Sequence, residues 1–532
     1  MSAAEPEAGT PRRRRTVLRR TPAWWARLGA SVASGLLLSL AYAPYDLGPV
    51  ALVALIPLLW AWHDVGPRRA AVFGFAAGIV FFGITLSWTS HVGLIAAIAL
   101  ALAQALFWAL AGAIIGGLGR LAIRAPWITA ATWVVVEAVR GRFPLGGMAW
   151  AEAGVALHDI SPARALATFG GVPLVSFLVV ASNALLLDAV LAGRARSLRP
   201  LVAAGAGLLF VVLAAGLAVA GRFEPRPTGT MRYALIQGND QNRRLTQDEI
   251  DSNFLTNKHL ALAGRLRGDY DLIVFPESAF ETDPETDPSL HQRIVELARE
   301  HHSAVLVNAI TNPTDGKQYN TNRLYGPTGR LVGSYSKQHL VPFGEYVPWG
   351  GWPRDVIPAL AAQVPTDLTP GDGTVVLDAG KHRIGTVICF ESAFSPLVRA
   401  NVRDGADLLV VTTNNRSYGR SALSAQHVAT SQMRAAETAR PVLHAAISGI
   451  TAVVDSSGRE LRTNPLFHNA VVEGRITTMT GDTPYVRYGE WVVWGSGLVL
   501  VGAVITGVTR RTLGHRNRVT AVPAEEQPVS AS

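Results

Sequence analysis

Eight apolar stretches dominate this sequence: Trp24 to Ala43, Leu47 to Trp62, Ala70 to Trp88, Gly93 to Leu118, Trp127 to Val139, Ala165 to Leu191, Leu201 to Ala220 and Trp491 to Val508. A helix that crosses a bilayer needs about 20 mainly apolar residues, so most of these are long enough on their own. The second and fifth are marginal. The fifth also carries Glu137, and a short span holding an acid reads equally as re-entrant or packed inside a bundle. Composition agrees with a membrane, because 49% of the 532 residues are hydrophobic and only 16% charged, against roughly 25% charged in soluble domains.

The formal net charge of +9 raises nucleic acid as a partner, but the arginines sit in short clusters between apolar runs, with no basic face interleaved with aromatics. No nucleic-acid partner is expected. The clusters instead fit the enrichment of Lys and Arg in short cytoplasmic loops. With the N-terminus inside, the inside segments hold Arg12 to Arg15 with Arg19 and Arg20, then Arg68 and Arg69, Arg120 and Arg124, Arg194, Arg196 and Arg199, and finally Arg510, Arg511, Arg516 and Arg518. Arg140, Arg142 and Arg164 fall in an outer segment and run against the rule. Eight spans with both termini inside is the topology this predicts. A cleaved signal peptide is the alternative for the first span, since a basic stretch, an apolar run and "AYA" at 41–43 follow one another. The N-terminal arginines suit anchoring at anionic headgroups, with partner binding as the alternative.

From Gly221 to Glu490 the composition becomes that of an α/β domain, which this parity puts on the outer face. The runs "YALIQGN" (233–239), "DLIVFPES" (271–278), "SAVLVNAI" (303–310), "RIGTVICFES" (383–392) and "ADLLVVTTNN" (406–415) are short, apolar and end in small or polar residues. Helical segments such as 289–302 and 424–440 separate several of them. Continuous apolar runs alternating with helices predict buried strands of a layered sheet covered by helices, with the chemistry at the strand ends.

Three strand ends or following loops carry reactive groups. Glu277 follows the strand in "VFPESAF", Lys337 lies in "SYSKQHLVPFGEYVP", and Cys389 ends the strand in "GTVICFESAF". Cys389 is the one cysteine in the chain, which rules out an intramolecular disulfide framework and a cysteine zinc site. It is either a buried small hydrophobe or a reactive thiol. A thiol attacks as thiolate, so it needs a base to take its proton or a cation to stabilise the anion. Glu and Lys supply both, and a lysine beside the attacked carbonyl also stabilises an oxyanion. Taken singly, each has a plain alternative: an ion-paired Glu, a solvated Lys, a core Cys.

The strings around these residues, "FPES" (275–278), "KQHLVPFGEYVP" (337–348) and "CFES" (389–392), resemble the three catalytic motifs of the nitrilase superfamily. Such a domain between the seventh and eighth of eight spans resembles the apolipoprotein N-acyltransferase family. "APYDLGP" (43–49), "EAVRGRFPLGGMAW" (137–150), "IQGN" (236–239) and "YNT" (319–321) support the likeness over nearly the whole chain. The resemblance implies an α-helical membrane bundle of about eight spans plus an α/β nitrilase-like domain, an αββα sandwich. The corresponding division is a basic tail at 1–23, a membrane domain at 24–221, the nitrilase-like domain at 222–490, a last span at 491–509 and a cytoplasmic tail at 510–532.

It further implies that Glu277 is the general base, Lys337 the stabiliser of the intermediate and Cys389 the nucleophile. Glu345 matches an acid that holds the lysine and base in register, its alternative being a surface carboxylate. Glu391 matches an acidic position that shapes the pocket. Residues two apart on a regular strand share a face, which aims Glu391 with Cys389 unless a sharp turn intervenes. Asn320 and Trp150 match positions near the site and the membrane entrance. Two departures stand out: Phe390 where the family often has Tyr, and "NNRSYG" (414–419) for its Asn-Asp-x-Trp-Phe-Gly loop. Asn414, Tyr418 and Gly419 keep its character, while Asn415 and Ser417 replace the acid and the Trp.

The implied reaction is acyl transfer from a phospholipid to the N-terminal amine of a diacylated apolipoprotein at the outer face of the cytoplasmic membrane, through a Cys389 thioester, with no metal or dissociable cofactor required. A membrane-tethered amidohydrolase and an inactive membrane scaffold are the rival readings. "WGGWPRDVIPAL" (349–360) reads either as a lid dipping into the lipid interface, where Trp is enriched, or as a loop packed on its own domain.

Overall fold

The computed structural model describes residues 22–123, 125–193, 225–240, 246–312, 316–356 and 364–519. The seventh apolar stretch (201–220), the arginines at 12–20 and the end of the Trp349 loop (357–360) lie outside them. The chain opens with α1 (Pro22–Ser39), α2 (Gly48–Trp62), α3 (Pro67–Thr85), α4 (Leu94–Leu118), α5 (Pro126–Arg140) and α6 (Ser161–Gly193). Among the described residues, four helical segments are long and apolar enough to cross a membrane: Pro67–Thr85, Leu94–Leu118, Ser161–Leu191 and Trp491–Thr509. On α4, Leu94, Ile98, Leu102, Leu106 and Leu110 recur every fourth residue and are 41–68% exposed, an apolar stripe suited to lipid. The opposite face packs on α3, where a methyl added at Gly74 or Gly112 would meet a main-chain oxygen at 2.2 or 2.4 Å. Small residues let these helices approach closely, as in membrane bundles.

The two marginal stretches are marginal for physical reasons. Stretch α2 breaks at Leu55 into Ala51–Ala54 and Ile56–Trp62, just before Pro57, which has no N–H to continue a helix. Asn183 of α6 bridges the break, accepting from Leu55 N–H (2.8 Å) and donating to Ala51 O (2.8 Å). Helix α5 has 15 residues, and its Glu137 is buried, accepting from Trp133 Nε1 and Ala153 N–H at 2.9 Å each. Of the alternatives for the fifth stretch, packing inside the bundle is what the structure has. The three arginines that run against the charge rule are bound in place. Arg140 donates to Met148 O (3.0 Å) and Trp150 O (2.8 Å), Arg142 pairs with Glu490, and Arg164 donates to His158 O (2.8 Å) and Ser457 O (3.0 Å).

The α/β domain follows as β1 (Arg226–Gln237), α7 (Phe254–Ala263), β2 (Leu272–Val274), α8 (Pro288–Glu300), β3 (Ala304–Thr311), β4 (Tyr319–Tyr325), β5 (Leu331–Ser336), β6 (Val376–Ala379), β7 (His382–Ile388), α9 (Ser395–Arg403), β8 (Leu408–Thr413), α10 (Leu423–Thr438), β9 (Val442–Ala446), β10 (Thr451–Val454), β11 (Glu460–Asn464), β12 (Ala470–Thr480) and α11 (Pro484–Tyr488). Helix α12 (Trp491–Val519) ends the described chain. Two six-stranded sheets form, ordered β12-β1-β2-β3-β4-β5 and β11-β10-β9-β8-β7-β6. β2 lies parallel between β1 and β3, and β8 parallel between β7 and β9.

Alternate residues of one strand point to opposite faces, and here both faces are buried. Leu272, Val274, Leu408 and Val410 join the core between the sheets. Ile273 packs with Leu290 and Ile294 of α8 on one outer face, and Leu409 and Val411 with Val398 of α9 and Ala435 of α10 on the other. That is why the strands read as continuous apolar runs, and the order of layers is helix, sheet, sheet, helix. β1 pairs with β12 along Arg226↔Thr480 to Gln237↔Ala470, so the strands that enter and leave the domain are neighbours, and the second runs on into α11 and α12.

The two parts pack on each other through α10. Ala393, Phe394, Leu423, Ala429 and Met433 belong to one apolar cluster with the helical part. Glu437 accepts from Val172 N–H (2.6 Å), beside Gly171 at φ 69° and Pro173, where α6 kinks. Gln432 donates to Asp159 and to Gly458 O (3.1 Å each), so its oxygen faces His158 Nδ1 (2.7 Å), while Asp46 lies 2.9 Å from Nε2. Both ring nitrogens meet acceptors, the arrangement that suits an imidazolium.

Candidate active site

The loop after β2 delivers Glu277, which is 5% exposed. Its Oε1 accepts from Asn320 Nδ2 (2.8 Å) and its Oε2 from Asn414 N–H (2.7 Å). The next residue, Ser278, sits at φ 59° and donates its N–H to Asn308 Oδ1 (2.8 Å). Asn308 in turn donates to Asn320 Oδ1 (2.8 Å), which fixes the orientation of the amide that holds the Glu277 carboxylate.

Lys337 follows β5, with its N–H donating to Asn320 O (2.8 Å). Its ammonium is 1% exposed, 2.9 Å from Glu345 Oε1 and 3.6 Å from Glu277 Oε1. Asn320 Nδ2 also reaches Glu345 Oε1 (3.2 Å), and Val341 N–H donates to Glu345 Oε2 (2.7 Å). Glu345 is therefore a partly buried partner of the lysine, which excludes the surface-carboxylate alternative. Burial alone would lower the Lys337 pKa, but the Glu345 and Glu277 charges outweigh it and hold it above its ordinary value.

Cys389 follows β7 at φ 55° in a left-handed conformation, the first residue of a 3-10 turn running to Ala393. A side chain there costs about 1 kcal/mol or more, so the surroundings must hold it. His427 of α10 does so, its Nε2 lying 3.0 Å from Cys389 O and 2.8 Å from Ser392 Oγ. Burial lowers the His427 pKa to about 4, so the ring is neutral and serves as a donor at Nε2. Thr413, at the end of β8, donates to Cys389 Sγ (3.3 Å). Burial, followed by the Glu277 charge, pushes the thiol up to about 12. At rest it is a thiol, and a thiol attacks only after giving up its proton.

After burial, the Glu277 charge acts most on that thiol. Burial raises its carboxyl above the ordinary value; the Lys337 charge and hydrogen bonds from Asn320 and Cys389 oppose this, and the Glu345 charge adds to it. A base with a raised pKa transfers protons better near neutrality. The chemistry it serves should switch on as pH rises through a value above the usual carboxylate range, about 4.3, and Glu277→Gln should erase that limb of the pH–rate profile while costing about 10²- to 10⁴-fold in rate. The apparent value belongs to the coupled Glu277, Lys337 and Glu345 set. An unchanged limb in the variant would exclude Glu277 as the base.

The structure corrects one expectation. Glu391 does not share a face with Cys389, because the turn at Cys389 ends the strand. Its buried carboxylate accepts from Ile388 N–H (2.8 Å), Gln338 N–H (2.7 Å), His339 N–H (3.0 Å) and Tyr335 Oη (2.9 Å), tying the lysine loop to the nucleophile turn. Asn414 reaches the site through its backbone N–H, while its side chain accepts from Arg416 N–H (3.1 Å).

Phe390 and Trp150 are brought together, nearly parallel at 24° with centroids 6.2 Å apart. Trp88 packs on Trp150 (5.7 Å) and on Tyr418 (5.1 Å), and Phe394 packs on Phe390 (5.0 Å). An aromatic wall built by both parts of the chain thus flanks the Cys389 turn. In the loop after Lys337, Trp349 and Trp352 are 62% and 57% exposed. Thr413, Gln426 and His427 escaped the sequence reading. The polar ending "TTNN" of β8 signalled the first; nothing in the polar helix that holds the other two did.

Residues 34–185 match the family described as the apolipoprotein N-acyltransferase N-terminal domain, and residues 234–485 match the carbon-nitrogen hydrolase family. The chain is 33% identical over 509 residues to the apolipoprotein N-acyltransferase of Geobacter metallireducens, covering 91% of this chain and 96% of that protein. It is 32% identical to the protein of the same name from Photobacterium profundum (88% and 92% covered) and 32% identical to that from Azotobacter vinelandii (90% and 95% covered).

Proposed function

The chain belongs to the apolipoprotein N-acyltransferase family, and on that premise we propose that it moves a fatty acyl chain from a phospholipid to the N-terminal amine of a diacylated lipoprotein. The observation that carries the reading is the buried Lys337 held between Glu277 and Glu345, with the Cys389 thiol bonded by Thr413 and its turn flanked by an aromatic wall that the helical part completes. In the first half-reaction Glu277 takes the thiol proton as sulfur attacks the ester carbonyl, and Lys337 stabilises the oxyanion. The C–O bond then breaks, Glu277 returns the proton to the leaving alkoxide, and lysophospholipid departs from a Cys389 thioester. In the second, the lipoprotein amine attacks the thioester, Glu277 takes the amine proton, the C–S bond breaks, and the sulfur leaves as thiol once reprotonated. No step calls for a metal or a dissociable cofactor.

Both substrates are lipids, which suits a nucleophile facing helices made for a bilayer. We place the α/β domain (222–490) on the outer face of the cytoplasmic membrane, between spans seven and eight of an eight-span arrangement with both termini inside. The arginine clusters support that orientation; Arg140, Arg142 and Arg164, which run against it, are held by local hydrogen bonds and an ion pair. The exposed Trp349 and Trp352 suit a lid that rests in the lipid interface.

The test supplies phospholipid and a synthetic diacylated lipopeptide with a free N-terminal amine, alongside its N-acetylated form. The expected product is a lipopeptide heavier by one acyl chain, from the free amine only. Free fatty acid with no acylated peptide would instead support the membrane-tethered hydrolase, whose thioester is cleaved by water, and no turnover of either lipid an inactive scaffold.

A further inference from the structure

One side chain of α10 uses its whole hydrogen-bonding capacity on the helical part of the molecule. Gln426 is 4% exposed. Its Oε1 accepts from Trp88 Nε1 (3.1 Å) and Trp150 Nε1 (2.8 Å), and its Nε2 donates to Ala43 O (3.1 Å) and Thr85 O (3.1 Å). Indole N–H groups only donate and main-chain oxygens only accept, so the amide fits in one orientation, with two acceptor sites and two N–H groups all engaged. The four partners come from separate segments: the loop after α1, the end of α3, the turn after it, and the loop before α6.

Gln426 immediately precedes His427, whose ring holds the Cys389 carbonyl and packs 5.5 Å from Trp150. The indoles that Gln426 holds are the helical part's share of the wall beside the Cys389 turn, Trp150 on Phe390 and Trp88 on Tyr418. One rigid turn of helix therefore sets both the nucleophile turn and the wall. Losing the amide would leave two buried indole N–H groups and two main-chain oxygens without partners, and buried polar groups are expensive to strand.

We propose that Gln426 is a positioning residue that also sets acyl-chain specificity: by fixing Trp88 and Trp150 against the Cys389 turn, it shapes the wall along which a long acyl chain lies when its carbonyl reaches the thiol. The inference rests on the acyl-transfer reading above. Short acyl groups, which do not reach along the wall, depend on Gln426 far less.

Gln426→Met keeps the length of the side chain and removes the amide. The experiment compares single-turnover acylation of Cys389 by p-nitrophenyl palmitate and p-nitrophenyl acetate in detergent micelles, reading the burst of p-nitrophenolate. The alkylation rate of Cys389 by iodoacetamide is measured alongside. The expected result is a 10- to 100-fold fall with palmitate, with acetate and iodoacetamide changing by less than about threefold. Trp88→Phe/Trp150→Phe, which keeps aromatic rings but removes the N–H donors, should lower the palmitate-to-acetate ratio too, and adding Gln426→Met to it should lower the ratio by less than about threefold more.

Three results overturn the proposal: an unchanged ratio in Gln426→Met, equal losses with all three reagents, or the full Gln426→Met penalty persisting in the double Trp variant. Failure of the underlying reading looks different. A wild-type chain that reacts with iodoacetamide and both esters but takes no acyl group from phospholipid refutes the phospholipid donor, while the Gln426 ratio still decides the positioning role.

Discussion

Cys389→Ala should gain no mass on incubation with phospholipid, while the wild type gains one fatty acyl chain that hydroxylamine removes. Removing a covalent nucleophile costs about 10⁴-fold or more, because the remaining groups still bind and polarise the ester but nothing attacks it. Cys389→Ser discriminates further. The 3.3 Å bond from Thr413 and the hold of His427 on the Cys389 carbonyl should keep the turn in place, so loss of activity there reflects chemistry. A hydroxyl is a weaker acid than a thiol already pushed up to about 12, and Glu277 is a correspondingly poorer match for its proton. Intact-protein mass spectrometry in detergent reads all three. An acyl adduct of equal yield on Cys389→Ala would end the thioester mechanism, and no adduct on the wild type with any phospholipid would end the assignment of donor.

The strand ends that carry Glu277 and Cys389 were legible because burial of both faces leaves a simple mark, a short apolar run that stops at a polar residue, whereas Lys337 follows the half-exposed β5 and was legible only from the motif around it. The direction of Glu391 was not. Nothing local announces that Cys389 adopts φ 55°, since a left-handed non-glycine residue is held by its surroundings, here His427 and the carboxylate of Glu391 itself. The helix at 424–440 was found as a helix, but its polarity misleads. Gln426, His427, Gln432, Arg434 and Glu437 suggest a solvated face, yet nearly every residue of α10 is buried. Its polar groups meet the helical part, Gln426 at two indoles, Gln432 at His158 and Glu437 at the kink beside Gly171. A sequence lists the polar groups without the partners that make burying them tolerable. The marginal second and fifth apolar stretches tell the same story in reverse: Asn183 bridges one and Glu137 anchors the other, contacts made across more distant parts of the chain.

Lys337→Met should be damaged twice, in rate and in stability, and the two can be separated. The ammonium is 1% exposed and paired with Glu345 at 2.9 Å and Glu277 at 3.6 Å. Without it the oxyanion loses its donor, worth about 10²- to 10³-fold in rate. Breaking a buried ion pair also leaves uncompensated charge, which costs roughly 3–5 kcal/mol. Two carboxylates that share a site cannot both stay ionised cheaply, so one pKa rises in the folded variant. A folded pKa above the unfolded one stabilises below the unfolded value, and that contribution is lost as pH rises through the folded value. Thermal unfolding of Lys337→Met should therefore recover towards the wild type as pH falls from 7 to 5. Adding Glu345→Gln removes one of the two charges and should restore much of the stability at pH 7 without restoring acylation. A Lys337→Met protein within threefold of wild-type acylation would refute the oxyanion role, and a double variant that recovers activity along with stability would show that the lysine had served only to neutralise the pair.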